Sequence, residues 1–342
     1  MRRNTIIIAE AGVNHNGDLE TAKKLIEVAS DAGADFVKFQ TFKAENLVTK
    51  KAEKAEYQSR NLSDTESSQF EMLEKLELSH SDHLILKSYC EERKIKFFST
   101  AFDIEGIYYL NSLGLKMFKV PSGEITNYTY LKALADIGKP VVLSTGMSSL
   151  NDISNALEVL LTGIKKENIT ILHCNTDYPT AYSDVNLMAM LNIKETFNVN
   201  IGYSDHTPGI EVPIAAVALG ASIVEKHFTL DKTMPGPDHK ASLDPFELKK
   251  MVDSIRITNI ALSGSGKKEP TDSELRNLPI IRKSIHIKNF QAKGSTISED
   301  NLIALRPGDG LCPMAYWNQI IGKKCKTDLY PYHKLHLSDI EK

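Results

Sequence analysis

Thr5-Ile-Ile-Ile-Ala9 runs through the polar segment Glu10–Gly17 into Asp18-Leu-Glu-Thr-Ala-Lys-Lys-Leu-Ile-Glu-Val-Ala-Ser-Asp-Ala-Gly33, and this stretch decides the fold. The first part is a β-branched run that reads as a strand. In the second part Ala22, Leu25, Ile26 and Ala29 fall at i, i+3, i+4 and i+7, which makes one buried helical face. Asp18 can cap that helix at its N-terminus, and Gly33 suits the left-handed residue that ends it.

The same strand-then-helix unit recurs along the chain. Further strands are expected at Phe36–Gln40, Lys96–Ser99, Met117–Val120, Pro140–Ser144, Ile169–Cys174, Asn200–Tyr203 and Ser222–Lys226, each followed by helical spacing. Asp244-Pro245 opens a helix to Ile260, with a capping residue before a proline at the first helical position. Eight such units match an α/β fold of the closed (β/α)₈ (TIM) barrel type. A doubly wound open sheet is the competitor, but no GxGxxG follows the first strand. The barrel is expected over residues 1–262. Ser263-Gly-Ser-Gly-Lys-Lys-Glu-Pro270 opens a linker over 263–281, and 282–342 reads as a small β-rich module with short strands such as Ser284–Ile287. So few residues make a marginal core, so that module is expected to dock on its own chain or on another.

Composition excludes several classes. Of 342 residues, 42% are hydrophobic and 25% charged, which is enough apolar content for a full core. The net charge of −3 gives no reason to expect nucleic acid or an anionic membrane as partner. Ile214–Val224 is too short to cross a bilayer, and the start, Met-Arg-Arg-Asn, lacks the features of a signal peptide. Cys90, Cys174, Cys312 and Cys325 are scattered, so free thiols and a cytoplasmic location are expected.

In such a barrel the chemistry sits at the C-terminal strand ends. Those ends carry Glu10; Lys38 and Gln40; Thr100; Lys119 and Ser122; Ser144; His173 and Tyr178; Ser204 and His206; and Glu225, His227 and Asp238. Two lysines facing the interior call for an anion, and with the serine hydroxyls they suit a small phosphorylated carboxylate. Alternatively they form structural ion pairs with Glu10 and Glu124. His206 and His227, on neighbouring strands, can bind one divalent metal or be ordinary hydrogen-bonded histidines. His80, His83, His333 and His336 read as surface residues.

The motifs then bring a family into view. Ile8-Ala-Glu-Ala-Gly-Val-Asn-His-Asn-Gly17, Val37-Lys-Phe-Gln-Thr41, Phe118-Lys-Val-Pro-Ser-Gly-Glu124, His173-Cys-Asn-Thr-Asp-Tyr-Pro-Thr180, Gly202-Tyr-Ser-Asp-His206 and Glu225-Lys-His-Phe-Thr229 resemble the sialic acid synthase family. Leu305-Arg-Pro-Gly-Asp-Gly310 resembles its C-terminal antifreeze-like (SAF) domain. The resemblance implies a metal-dependent condensation of phosphoenolpyruvate with an open-chain N-acetylated amino sugar, in a domain-swapped homodimer. It implies His206 and His227 as ligands of Mn²⁺, with Mg²⁺ or Co²⁺ as substitutes. It further implies that Lys38, Thr100, Lys119, Ser122, Ser144 and Ser204 hold phosphoenolpyruvate. Gln40, Tyr178, Glu225, Asp238 and the partner chain's Arg306 would contact the sugar, and Glu10 would be the acid/base.

The expected activity is that of a bacterial-type N-acetylneuraminate synthase acting on N-acetylmannosamine. Asp205 before His206 separates the chain from the animal 9-phosphate type, and Thr176 stands where some relatives carry asparagine. A legionaminate synthase taking a 2,4-diacetamido-6-deoxy sugar is the alternative, with pseudaminate synthase behind it. Two readings from other classes are a non-catalytic glycan- or ice-binding protein and a Schiff-base aldolase using Lys38 or Lys119.

Overall fold

The computed structural model describes residues 4–62 and 68–341, the side chain of Tyr57 excepted, so the start Met1–Arg3 lies outside it. The chain forms two compact units, Met1–Gly264 and Ser265–Lys342.

In the first unit eight parallel strands follow one another: β1 (Ile6–Gly12), β2 (Phe36–Thr41), β3 (Lys96–Ala101), β4 (Phe118–Val120), β5 (Val141–Ser144), β6 (Ile169–His173), β7 (Asn200–Asp205) and β8 (Ile223–His227). Their order is β3-β2-β1-β8-β7-β6-β5-β4. Because β1 pairs with both β2 and β8, the ends of that order are β3 and β4, which pack side by side and complete the ring. The architecture is therefore the TIM-like barrel expected. Ile7, Ile8, Val37, Phe39 and Phe98 belong to its fully buried core.

The opening stretch folds as its pattern dictates. Helix α1 (Leu19–Ala32) buries Ala22, Leu25, Ile26 and Ala29, Asp18 Oδ2 accepts from Thr21 N at 2.8 Å, and Gly33 closes the helix at φ 84°. Gly202 on β7 is needed for closeness: a Cβ there would lie 2.4 Å from the Ile223 carbonyl of β8. Three short helices, α2 (Ala44–Leu47), α3 (Glu56–Asn61) and α4 (Gln69–Glu74), rise between β2 and β3 over the barrel mouth, before α5 (His80–Glu92).

Two expectations need correction. His83 is buried, not superficial: its Nε2 shares a 2.7 Å hydrogen bond with Thr41 Oγ1, and its Nδ1 lies 2.8 Å from the Ser79 carbonyl. The stretch 263–281, expected as a linker, contains a ten-residue helix, Asp272–Ile281, capped by Thr271 and Glu274.

In the second unit β9 (Ser284–Ile287) pairs antiparallel with β10 (Leu302–Leu305). Ile285, Ile287, Ile297, Leu302, Leu329 and Leu335 are among the residues of its own small core. The four cysteines are free. Among the described residues no helix is long and apolar enough to cross a membrane.

Candidate active site

The C-terminal ends of the eight strands open on one cavity of about 370 Å³. The residues given above roles toward phosphoenolpyruvate, sugar, metal or proton in the barrel all line it, from Glu10 on β1 to Asp238 beyond β8. His173 does not: its Nε2 lies 2.7 Å from the Val185 carbonyl. Arg306 belongs to the second unit, where its Nε donates to the Ile281 carbonyl at 2.8 Å.

Four buried charges make the floor. Lys38 Nζ lies 2.9 Å from Glu10 Oε2 and 3.7 Å from Glu225 Oε2, and donates to Thr100 Oγ1 at 2.8 Å. Lys119 Nζ lies 3.2 Å from Glu225 Oε1, to which Ser204 Oγ also donates at 3.1 Å. The lysines thus do have carboxylate partners, but the second is Glu225 on β8; Glu124 instead accepts from Asn127. With two carboxylates against two ammoniums the floor is close to neutral as it stands.

The environment splits the two glutamates. Burial raises Glu10 to about 7, more than Lys38 lowers it. Burial also pushes Glu225 upward, but Lys119 and Lys38 together outweigh it and hold that carboxyl below its usual range. Glu10 is therefore poised to exchange a proton near neutrality while Glu225 stays charged, the kind of separation that assigns acid–base roles. Gln40 Nε2 approaches Glu10 Oε1 at 3.4 Å.

Beside this floor is a cradle of hydroxyls. The buried Ser144 Oγ and Thr176 Oγ1 have no hydrogen-bond partner, and Ser122 Oγ accepts from Gly146 N at 2.9 Å. A Cβ on Gly146 would meet Thr176 Oγ1 at 2.1 Å and Ser122 Oγ at 2.9 Å, so only glycine leaves the cradle open. Unpaired buried hydroxyls next to two ammoniums are what an oxyanion such as phosphate would satisfy. The sequence signal for Thr176 was its place just beyond β6, which by itself did not distinguish it from Asn175 and Asp177.

At the other side stand the imidazoles. The ring centroids of His206 and His227 are 5.4 Å apart, with the Tyr178 ring tilted at 33° and 4.0 Å from His206 and edge-on to His227. His206 Nδ1 lies 2.5 Å from the Asn175 carbonyl, which leaves Nε2 as its available ligand atom. His227 Nδ1 is buried without a hydrogen bond, 3.7 Å from Asp238 Oδ2. Burial keeps both rings neutral, His206 at about 4 and His227 well below the ordinary value. Two neutral nitrogen donors fit a divalent cation. Among the described residues no cluster of three or more ligating side chains joins them, so the remaining positions would fall to substrate and water.

Over β1–β3 the mouth is apolar. Leu47, Val48, Met72, Leu73, Leu76 and Phe102 line the cavity there. Several of these form a cluster with Val13 and Phe42 that is separate from the barrel core.

A parallel barrel that gathers carboxylate–ammonium pairs, unpaired hydroxyls and two neutral imidazoles at one mouth has the form of an enzyme active site. The NeuB family model matches residues 25–268 and the SAF domain model residues 292–340. The chain is 52% identical over 322 residues to the N,N'-diacetyllegionaminic acid synthase of Campylobacter jejuni, covering 94% of this chain and 96% of that protein. It is 48% identical over 326 residues to the synthase of the same name from Legionella pneumophila, covering 94% and 91%. Among solved structures, the N-acetylneuraminic acid (sialic acid) synthetase of Leptospira borgpetersenii superposes with a TM-score of 0.69 at 37% identity, covering 80% of this chain and 90% of that one. The chain belongs to the NeuB family.

Proposed function

We propose that this enzyme is a nonulosonic acid synthase that joins phosphoenolpyruvate to the open-chain aldehyde of a 2,4-diacetamido-2,4,6-trideoxy sugar, making N,N'-diacetyllegionaminate and phosphate. The observation that carries the reading is the pair of unsatisfied hydroxyls, Ser144 and Thr176, lining the same cavity as the buried ammoniums of Lys38 and Lys119. It supports a phosphorylated anion in this cavity rather than a relic scaffold for glycan binding.

The 6-deoxy sugar is preferred to N-acetylmannosamine for two reasons. Both of the more similar relatives above are named for diacetyllegionaminic acid. The apolar wall of Leu47, Val48, Met72 and Leu73 suits a methyl group and an acetamido methyl better than hydroxyls. Such a difference is worth roughly 10–200-fold in kcat/KM.

Lys38, Lys119, Thr100, Ser122, Ser144 and Ser204 would hold the phosphate and carboxylate of phosphoenolpyruvate with its carbon 3 toward the sugar. Tyr178, Gln40, Glu225 and Asp238 would orient the sugar so that its aldehyde carbon meets carbon 3. A divalent ion held by His206 and His227, Mn²⁺ with Mg²⁺ or Co²⁺ as substitutes, would polarise the aldehyde oxygen when bound. Once the carbon–carbon bond has formed, Glu10 takes a proton from the water that adds to carbon 2. Glu10 returns that proton to the former aldehyde oxygen, which becomes a hydroxyl, and the phosphate leaves carbon 2 with the electrons of the C–O bond, taking up the proton of the carbon-2 hydroxyl; the lysines and hydroxyls meet its charge, and a 2-keto acid remains. Arg306 of a partner chain would complete the sugar site in a swapped homodimer. The borohydride-sensitive Schiff base of an aldolase fits less well, because Lys38 and Lys119 are both engaged in ion pairs with buried carboxylates.

Phosphate release from phosphoenolpyruvate by Mn²⁺-loaded protein, with each sugar in parallel, tests the reading. Release at least tenfold faster with the 2,4-diacetamido sugar is expected. Release with N-acetylmannosamine alone would move the assignment to N-acetylneuraminate, and release with neither would remove the synthase reading.

A further inference from the structure

The ladder between β7 and β8 sets Ser204 opposite Glu225 and Asp205 opposite Lys226. Side chains alternate across a strand. Ser204 and His206, with Glu225 and His227, face the cavity they line, whereas the intervening Asp205 and Lys226 face away from it. Both are fully buried, at 0% side-chain exposure. Lys226 Nζ lies 2.5 Å from Asp205 Oδ2 and also donates to the Thr207 carbonyl. Asp205 Oδ1 in turn accepts from Thr207 N at 3.0 Å and from Thr207 Oγ1 at 2.8 Å. The residues on either side of His206 are thus tied to the residue just before His227.

This ion pair cannot serve the substrates, since neither member lines the cavity. Nor is it an obvious source of stability, because a buried ion pair is commonly no better than apolar side chains of the same volume. What it does supply is fixed geometry: two bonds from Lys226 lock the end of β7 to β8, and two more from Thr207 to Asp205 brace that end, one step away from both imidazoles. We propose that Lys226 is a positioning residue that, through Asp205 and Thr207, sets the separation of the His206 and His227 rings and thereby the affinity of the site for a divalent ion. The inference rests on the reading of those two histidines as ligands. Outer partners of this kind commonly change metal affinity by roughly 10–100-fold.

The test is the double variant Lys226→Met/Asp205→Asn, which removes both charges together and so leaves no uncompensated ion in the interior. Mn²⁺ binding is followed by calorimetry on the full chain without substrates, beside thermal unfolding. Leu157→Ala, a cavity-forming change in a helix that does not border the site, serves as the control for lost stability alone. The expected result is a folded double variant whose Mn²⁺ affinity falls about tenfold or more, while Leu157→Ala lowers the melting temperature and leaves Mn²⁺ affinity in place. Affinity within twofold of the wild type in the folded double variant would overturn the proposal. Should the wild-type chain itself take up no Mn²⁺, the ligand reading fails separately, and crystal structures decide the strut. Ring separation displaced by more than about 0.5 Å in the double variant supports it, and unchanged separation sinks it.

Discussion

Glu10 is shared between its protonated and carboxylate forms in the free protein near neutrality, and the proposed chemistry needs it as a base. Burial puts it at about 7, so the fraction in the competent carboxylate form falls as pH drops below that value. The acidic limb of kcat/KM should therefore bend near pH 7. Glu10→Gln should abolish the bend and lower kcat by roughly 10²–10⁴-fold; a pH–rate profile of both proteins checks this. Asp238, likewise raised to about 7 by burial, makes a second titration visible in stability. Both carboxyls bind protons more tightly folded than unfolded, so their contribution is fully present below about pH 4 and is lost as pH rises through 7. Metal-free protein should accordingly lose stability between pH 4.5 and 7 more steeply than Asp238→Asn does, in urea melts at several pH values. At the cradle, Gly146→Ala places a methyl 2.1 Å from Thr176 Oγ1 and should weaken phosphoenolpyruvate binding at least tenfold, read by calorimetry, without unfolding the barrel. The residues of this site were legible as polar groups at strand ends, because a parallel barrel leaves its chemistry nowhere else. Their partners were not. Lys119 meets Glu225, more than a hundred residues away, rather than the nearby Glu124, and only the closing of β8 against β1 brings that carboxylate across the floor.

The strands carry their own signal in continuous apolar runs, and all eight begin within two residues of where the sequence puts them. What local pattern could not say is which contacts between elements are tight. Gly202 looks like an ordinary strand glycine until β8 is beside it; then a Cβ would also press on Leu172 Cδ2 at 2.5 Å. Gly202→Ala should cost about 1–3 kcal/mol in urea unfolding, as overpacking does. Because His206 directly follows β7 and His227 ends β8, the same change should weaken Mn²⁺ binding more than an equally destabilising change elsewhere in the barrel. Composition misled in the other direction at 263–281, where Gly, Ser and Lys suggested a linker. Thr271-Asp-Ser-Glu274 is a capping box, and both halves of it form, with Thr271 N donating to Glu274 Oε2 at 2.8 Å. His83 was misplaced for a related reason: its polarity suggested solvent, but Thr41 and the Ser79 carbonyl satisfy both ring nitrogens inside the protein.

At the scale of the molecule the residues assigned to the reaction are divided between the chain's two units. The barrel unit holds the floor, the cradle and both histidines, whereas Arg306 is carried on the second unit, directly after β10. In a swapped homodimer each site would combine Glu10 of one chain with Arg306 of the other, and that arrangement has a signature no single-chain site can produce. Glu10→Gln dimers and Arg306→Ala dimers should each be nearly inactive. After mixing under conditions that exchange subunits, a heterodimer contains one site with wild-type Glu10 and wild-type Arg306, and one site with neither. Random exchange at equal amounts makes half the dimers mixed, so activity should return to roughly a quarter of the wild-type level. If Arg306 instead served the barrel of its own chain, every site in the mixture would lack one of the two residues, and no activity would return. Phosphate release measured before and after exchange separates the two arrangements without reference to which sugar the enzyme prefers.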